Sequence, residues 1–432
     1  MGGSRQSLKL AVVGGGWAGL AAAVRAHEAG HRVTLFEMAG QLGGRARQVT
    51  VEGMPLDNGQ HILIGAYRRC LALMQAVGSD IVGGFDRRPL ELRYPDGRGL
   101  RMPPGPPWLG FGLAVWKAHG WKRGDRLAML GAALRWSAAG FRCDPHLTVD
   151  ALCADLPPAV RELLIDPLCV AALNTPATDA SAAVLLRVLQ DALFSGQGSA
   201  DLLLPRRSLG ALLPEPAERW LRAAGVDVRL GQRAQQLRWA QQQHWALGED
   251  VFDAVVLACS AGEAARLVEP HAPTWAALAR GLPYEPIITV YLRCRGARLS
   301  VPMTALLAGP QAPAQFAFDH GALGGAAGVF AFVISGASAW VDAGAQVTAQ
   351  AVLQQAVNAF PKGTWPTQPL LLRVLTEKRA TFRCTPRLDR PPASISPGLA
   401  AAGDYVAGPY PATLEGAVRS GETAVSLLAL QS

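Results

Sequence analysis

The first forty-five residues constrain this chain more than any other stretch. Leu8–Val13 is a short, mostly apolar run that stops at three consecutive glycines, Gly14, Gly15 and Gly16. A run of that length bounded by glycine reads as a buried parallel strand. Ala18 to Glu28 follows as strong helix formers, and Gly30 can close the helix in a left-handed conformation. His31–Glu37 reads as a second strand, so the unit is βαβ and its turn holds Gly14-x-Gly16-x-x-Gly19. Gly14 permits the tight turn, Gly16 lets the backbone approach a pyrophosphate, and Gly19 lets helix and strand pack closely. Trp17 and Ala18 open the helix, whose free N–H groups face the phosphates. Glu37 ends the second strand, about 18 residues after Gly19, where a carboxylate can bind ribose hydroxyls. The turn therefore predicts dinucleotide binding; the competing reading is a bare structural turn.

What comes next bears on which dinucleotide. Gln41-Leu42-Gly43-Gly44-Arg45-Ala46 sets a glycine pair and a guanidinium just past the ribose-binding strand. A fixed cation there can neutralise a diphosphate or sit near an isoalloxazine carbonyl. The bland alternative is a surface loop with a solvated arginine.

With these residues the chain resembles the flavin-containing amine oxidase and phytoene desaturase superfamily. Gly403-Asp404-Tyr405 is similar to that family's C-terminal Gly-Asp, whose acid binds the ribityl or phosphate part of FAD, and Gly416 opens a segment like its closing flavin-contacting helix. Asp253–Cys259 reads as a buried strand returning to the same sheet. Leu56-Asp57-Asn58-Gly59-Gln60-His61, Leu173-Asn174-Thr175-Pro176 and Asp201–Arg206 resemble one branch, the bacterial hydroxysqualene dehydroxylases of hopanoid and squalene synthesis. The resemblance implies FAD as cofactor, with Gln60, Gly403, Asp404 and Gly416 joining the N-terminal residues around it. It implies hydroxysqualene, a hydrophobic isoprenoid, as substrate.

The implied architecture is α/β: a Rossmann-like FAD-binding domain with an inserted, discontinuous α+β substrate domain of mixed sheet plus helices. Residues 1–65, 201–261 and 385–432 are assigned to the first, and 66–200 and 262–384 to the second. Residues 66–200 carry Ala/Leu-rich helical segments. Pro286–Leu292, Gln315–Phe318, Val329–Ile334 and Leu370–Leu375 read as strands from their β-branched and aromatic content. Between Arg101 and Arg142, tryptophans and leucines interleave with Lys117, Lys122, Arg123, Arg126 and Arg135. Such a pattern suits a membrane interface, where the apolar side enters lipid and the cations meet phosphate; a plain helical hairpin is the alternative.

Composition closes several other routes. Of 432 residues, 50% are hydrophobic and 17% charged, which excludes disorder and coiled coil. The formal net charge of +8 is spread thinly, giving no footprint for nucleic acid. Seven cysteines lack any C-x-x-C pair and read as reduced thiols. No secretory h-region and no membrane-spanning run is visible, so the expected place is the cytoplasm, peripheral on the inner face of its membrane. No metal-binding spacing, nucleophile elbow, P-loop or second dinucleotide turn appears, so no metal is expected and electrons must come from an external donor or reductase.

In the dehydroxylase reading, hydride from reduced flavin reaches an allylic carbon while the hydroxyl leaves as water. This needs a proton donor and a dry pocket. His61, Tyr405 and Asp166 are the candidates for the donor, with Tyr410 a further rival. Asp57 is read as fixing its loop through backbone hydrogen bonds. Phe316, Phe318, Phe330 and Phe332 are candidates to line the pocket, or to fill the sheet's core. An oxidative desaturase, an amine oxidase and a non-catalytic prenyl carrier are the rival functions.

Overall fold

The computed structural model describes residues 7–240 and 244–430; residues 1–6, 241–243 and 431–432, which the sequence reading assigns to the dinucleotide-binding part, lie outside the described residues. β1 (Lys9–Val13) runs through the glycine turn into α1 (Trp17–Glu28), and β2 (Arg32–Phe36) follows. A Cβ on Gly19 would lie 1.8 Å from the carbonyl oxygen of Gly14, and one on Gly14 2.7 Å from that of Ala258. Both glycines are thus steric requirements of the helix–strand approach. The helical insert supplies α2 (Pro107–Trp116), α3 (Arg123–Ala138), α4 (Asp166–Leu173) and α5 (Ala182–Phe194). β3 (Asp227–Arg229) and β4 (Ala254–Leu257) come next. Five more strands follow: β5 (Tyr284–Arg293), β6 (Met303–Ala305), β7 (Phe316–Asp319), β8 (Val329–Ile334) and β9 (Leu370–Phe382). The chain finishes with β10 (Ser394–Ser396), β11 (Leu399–Ala401) and α6 (Leu414–Ala429).

Two larger sheets organise these elements. The first has the order β3-β2-β1-β4-β11-β10. Its neighbours run parallel except the outermost β10–β11 pair, so this sheet is the mixed one. β1, β2 and β4 are buried nearly throughout, as expected for strands covered on both faces. The second sheet, β6-β7-β8-β5-β9, is antiparallel at every pairing. β6 carries no apolar run long enough to read from sequence, and β9 extends seven residues past the expected Leu375.

The chain ends meet across the first sheet. α6 packs on α1 so tightly that a Cβ on Gly421 would come within 2.2 Å of the Ala18 carbonyl oxygen. All seven cysteines are free thiols, five of them buried.

Candidate active site

A cavity of about 630 Å³ is lined by residues of both chain ends and both sheets. At one end stands the glycine turn. Glu37 is buried and already engaged there: its Oε2 accepts from Gly15 N at 2.7 Å and its Oε1 from Ala39 N at 2.8 Å. Each carboxylate oxygen retains capacity for a further hydrogen bond. A Cβ on Gly16 would meet nothing nearer than Gly44 Cα at 3.9 Å, so the space above this residue is open. Gly43 N donates to Gly15 O at 2.9 Å, with Gly43 at φ +116° and Gly44 at φ +62°. The glycine pair thus lies directly on the turn.

Trp17 and Ala18 bring the N-terminus of α1 to the cavity. Thr413, Leu414 and Ala417 do the same for α6, where Thr413 Oγ1 accepts from Gly416 N at 2.9 Å as the N-cap. Two helix N-termini therefore face one space, an arrangement suited to a diphosphate. Gly19 and Gly416 are not among the lining residues. Their task is steric, since a Cβ on Gly416 would sit 1.9 Å from the Tyr410 carbonyl oxygen.

Arg45 and Asp404 occupy the middle. Sequence reading aims each at the cofactor; the structure also joins them in an ion pair, with Arg45 Nη1 donating to Ala380 O at 2.7 Å. Gly403 lines the cavity beside them. Three further lining residues had no sequence signal, Gln232, Arg233 and Glu263, and Cys259 ends the strand expected to return to this sheet. Hydrogen bonds from Arg266 and Arg233 hold the Glu263 carboxyl down to about 2. Burial pushes the Cys259 thiol up to about 12, which makes it inert near neutrality.

The other end is apolar, with Ile62, Ala171, Ala172, Ile287, Phe316, Phe318 and Val333. The four phenylalanines divide between two surfaces. Phe316 and Phe318 share one face of β7 and line the cavity, whereas Phe330 and Phe332 pack on the far side against Trp365 and Phe360. Asn174, in a left-handed conformation at φ +46°, staples the wall: it donates to Glu285 O and Thr381 Oγ1 and accepts from Gly336 N.

Of the expected proton donors, His61 and Tyr405 line the cavity and Asp166 does not. Burial and the Arg45 guanidinium push His61 down to about 4, so its imidazole is neutral at pH 7. Burial drives the Tyr405 phenol up, and it keeps its proton. Asp166 is corrected in place, since it lies outside the lining, although desolvation raises its carboxyl as expected. It heads α4 with its side chain exposed, five residues before Ala171. At about 100° per residue that places it roughly 140° around the helix from the cavity. Tyr410 stacks between the Arg187 and Arg419 guanidiniums and is not a lining residue. Asp57 fixes its loop as expected, its Oδ1 accepting from Leu209 N at 2.8 Å.

Sequence reading missed Glu377. It stands on β9 opposite Ile287 and accepts from Asn58 Nδ2 at 3.1 Å. Four carboxylates line the cavity, and three are committed: Glu37 to the glycine turn, Glu263 to two arginines, Asp404 to Arg45. Glu377 has no ion-pair partner among the described residues; besides Asn58, its Oε1 accepts from Arg379 N at 3.2 Å.

Gln60 Oε1 and Tyr405 Oη are buried in this lining with no hydrogen-bond partner among the described residues. Buried polar atoms are rarely left so. With the open space over Gly16, the paired helix N-termini and the Glu37 carboxylate, they fit FAD laid along the cavity. The profile of the flavin containing amine oxidoreductase family matches residues 17–429. A hydroxysqualene dehydroxylase of Zymomonas mobilis is 28% identical, the alignment covering 96% of this chain and 98% of that protein. One of Rhodopseudomonas palustris is 29% identical, over 96% and 97%. The crystal structure of an oxidoreductase from Methanosarcina mazei superposes with a TM-score of 0.73 at 16% identity, covering 97% of this chain and all of that one. Glycine turn, Glu37 and C-terminal Gly-Asp close on one cavity within a match spanning nearly the whole chain, and the chain belongs to the flavin containing amine oxidoreductase family.

Proposed function

We propose that this FAD-dependent oxidoreductase removes the hydroxyl of hydroxysqualene reductively, yielding squalene and water in hopanoid and squalene synthesis. The observation that carries this reading is the end-to-end likeness to two hydroxysqualene dehydroxylases. A cavity that passes from a dinucleotide cradle to an apolar, phenylalanine-lined end supports it. Residues 1–65, 201–261 and 385–432 then serve the cofactor, and 66–200 and 262–384 the isoprenoid.

FAD, when bound and reduced, supplies the hydride. The chain's own residues do the rest. The glycine turn with Glu37, Gly43, Gly44, Arg45, Gly403 and Asp404 holds the cofactor, and Gln60 and Tyr405 offer it their unpartnered oxygens. Ile287 and Val333 exclude water from the allylic carbon, and the π-faces of Phe316 and Phe318 favour positive charge developing there. For atoms to balance, the departing oxygen gains a proton as the carbon gains hydride. Glu377, held by Asn58 and Arg379 N but by no arginine side chain among the described residues, delivers it from its protonated form and is reprotonated from solvent, and neutral His61 is a hydrogen-bond partner for the leaving oxygen. Electrons reach the flavin from a separate donor, and the protein works peripherally at the inner face of the cytoplasmic membrane.

The test is product analysis after anaerobic incubation of dithionite-reduced, flavin-loaded protein with hydroxysqualene. Squalene is expected, with Glu377→Gln retaining its flavin while losing at least about tenfold in turnover. Untouched hydroxysqualene, or instead oxygen uptake with amines or new conjugated double bonds in phytoene, would replace this function. A Glu377→Gln variant turning over at the native rate would reassign the proton alone.

A further inference from the structure

α2 has no charged side chain, and it is apolar on both sides. Phe111, Ala114 and Val115 are buried. Trp108, Leu109, Leu113 and Trp116 are exposed, the two tryptophans at 57% and 52%. At about 100° per residue these four fall within roughly 140° of the helix circumference, a continuous outer stripe. α3 packs against α2 and adds Leu127 and Leu134, one heptad apart and 60% and 71% exposed. Six such side chains on two neighbouring helices exceed what scattered surface hydrophobics explain.

The charges beside this stripe are equally distinctive. Lys117, Lys122, Arg123, Arg126, Arg135 and Arg142 fall within and after the two helices, against the single acid Asp125. None of the six forms an ion pair among the described residues. Many arginines elsewhere are paired: Arg87, Arg161, Arg187, Arg229, Arg280 and Arg383 each have a carboxylate within 4 Å, whereas here six successive cations have none among the described residues. Arg126 is half-buried and donates to Ala118 O at 2.9 Å; the other five cations, flanking exposed tryptophans, suit a partner that is apolar in depth and anionic at its surface. No helix among the described residues is long and apolar enough to cross a membrane, so the partner is met from one side.

We propose that the outer face of α2 and α3 docks on an anionic lipid bilayer, with Trp108, Leu113 and Trp116 entering the headgroup–acyl boundary. Lys117, Lys122 and Arg123, at the turn joining the helices, contact lipid phosphates. α2 packs on α5 and α5 on α4, whose C-terminal residues line the cavity. The docking face therefore lies two helices from the apolar end of the cavity. The proposal does not depend on which substrate fills the cavity.

Flotation of the flavin-loaded protein with vesicles tests it. Binding is expected to vesicles of phosphatidylcholine mixed with phosphatidylglycerol and to be weak with phosphatidylcholine alone. Trp108→Ser with Trp116→Ser should lower the partition coefficient about tenfold or more. Each of Lys117→Gln, Lys122→Gln and Arg123→Gln should lower it about fivefold. Because these side chains are exposed, the melting temperature should stay unchanged. Should the double variant misfold, quenching of native tryptophan fluorescence by brominated lipid reports the same insertion, and unquenched fluorescence overturns it. Failure to float with anionic vesicles, or native binding by the tryptophan variant, overturns the proposal. So does a dimer in solution that the tryptophan variant converts to monomer, because a second copy then covers the face.

Discussion

Deleting the Arg45–Asp404 pair tests whether the two chain ends truly close around one cofactor. The Asp404 side chain is 9% exposed and that of Arg45 36%. At hydrogen-bond separation, about 3 Å, and an effective dielectric near 20, the gross attraction is roughly 5–6 kcal/mol. Desolvation of Asp404 and solvent screening of the partly exposed guanidinium offset much of it, leaving a net coupling of about 1–3 kcal/mol. Asp404→Ala leaves Arg45 with the Ala380 carbonyl as its near partner. Its cost is set below the roughly 3–5 kcal/mol of a fully buried broken pair, at about 2–3 kcal/mol. Arg45→Met should cost a similar amount. Urea unfolding of both single variants and the double variant closes the cycle, and visible flavin absorbance of each purified protein reports cofactor retention. The double variant should be more stable than the sum of the singles by that 1–3 kcal/mol, and all three should lose flavin. Additivity within about 0.5 kcal/mol together with full flavin content would refute the joint closure.

Two other outcomes follow from the same packing. Burial raises the Asp57 carboxyl from its ordinary 3.8 to about 7, so the native state binds its proton more tightly than the unfolded chain; that stability is full below pH 4 and is lost as pH rises through about 7. Asp57→Asn keeps an acceptor for Leu209 N and should gain on the native protein by about 2–3 kcal/mol between pH 5 and pH 8 in urea titrations; a pH-independent difference would show the carboxyl ionises freely. Gly421→Ala, whose Cβ would press on the Ala18 carbonyl at 2.2 Å, should cost about 1–3 kcal/mol and loosen flavin, whereas Gly124→Ala, with nothing within 4 Å, should be neutral or stabilising in the same melting assay.

The cofactor end was far more legible than the substrate end, and the reason is physical. Gly14, Gly16 and Gly19 are demanded by backbone contacts within a few residues of each other, so their spacing alone carries the geometry. Glu37 follows from strand length. Glu377, by contrast, reaches the cavity because β9 pairs with β5 across more than eighty residues of intervening chain, and no local pattern records that pairing. Phe316 and Phe330 look alike in sequence; a strand's period of two says that alternate residues share a face, never which face meets the cavity. Asp166 failed for the corresponding helical reason, since an acid in an apolar stretch is buried or exposed according to the azimuth that packing imposes.

Sequence alone determined the βαβ nucleotide turn, the acid that closes it and, through likeness at Gly403-Asp404, the partnership of both chain ends. These are constraints of local sterics and short-range hydrogen bonding, which a linear order of residues can express. Tertiary structure decided which lining carboxylate, beside Asn58, stays outside every ion pair among the described residues, which phenylalanines face the cavity and which cations go unpaired beside Trp108 and Trp116. Each of those depends on what a distant segment brings alongside, and proximity between distant segments is a property of the packed molecule.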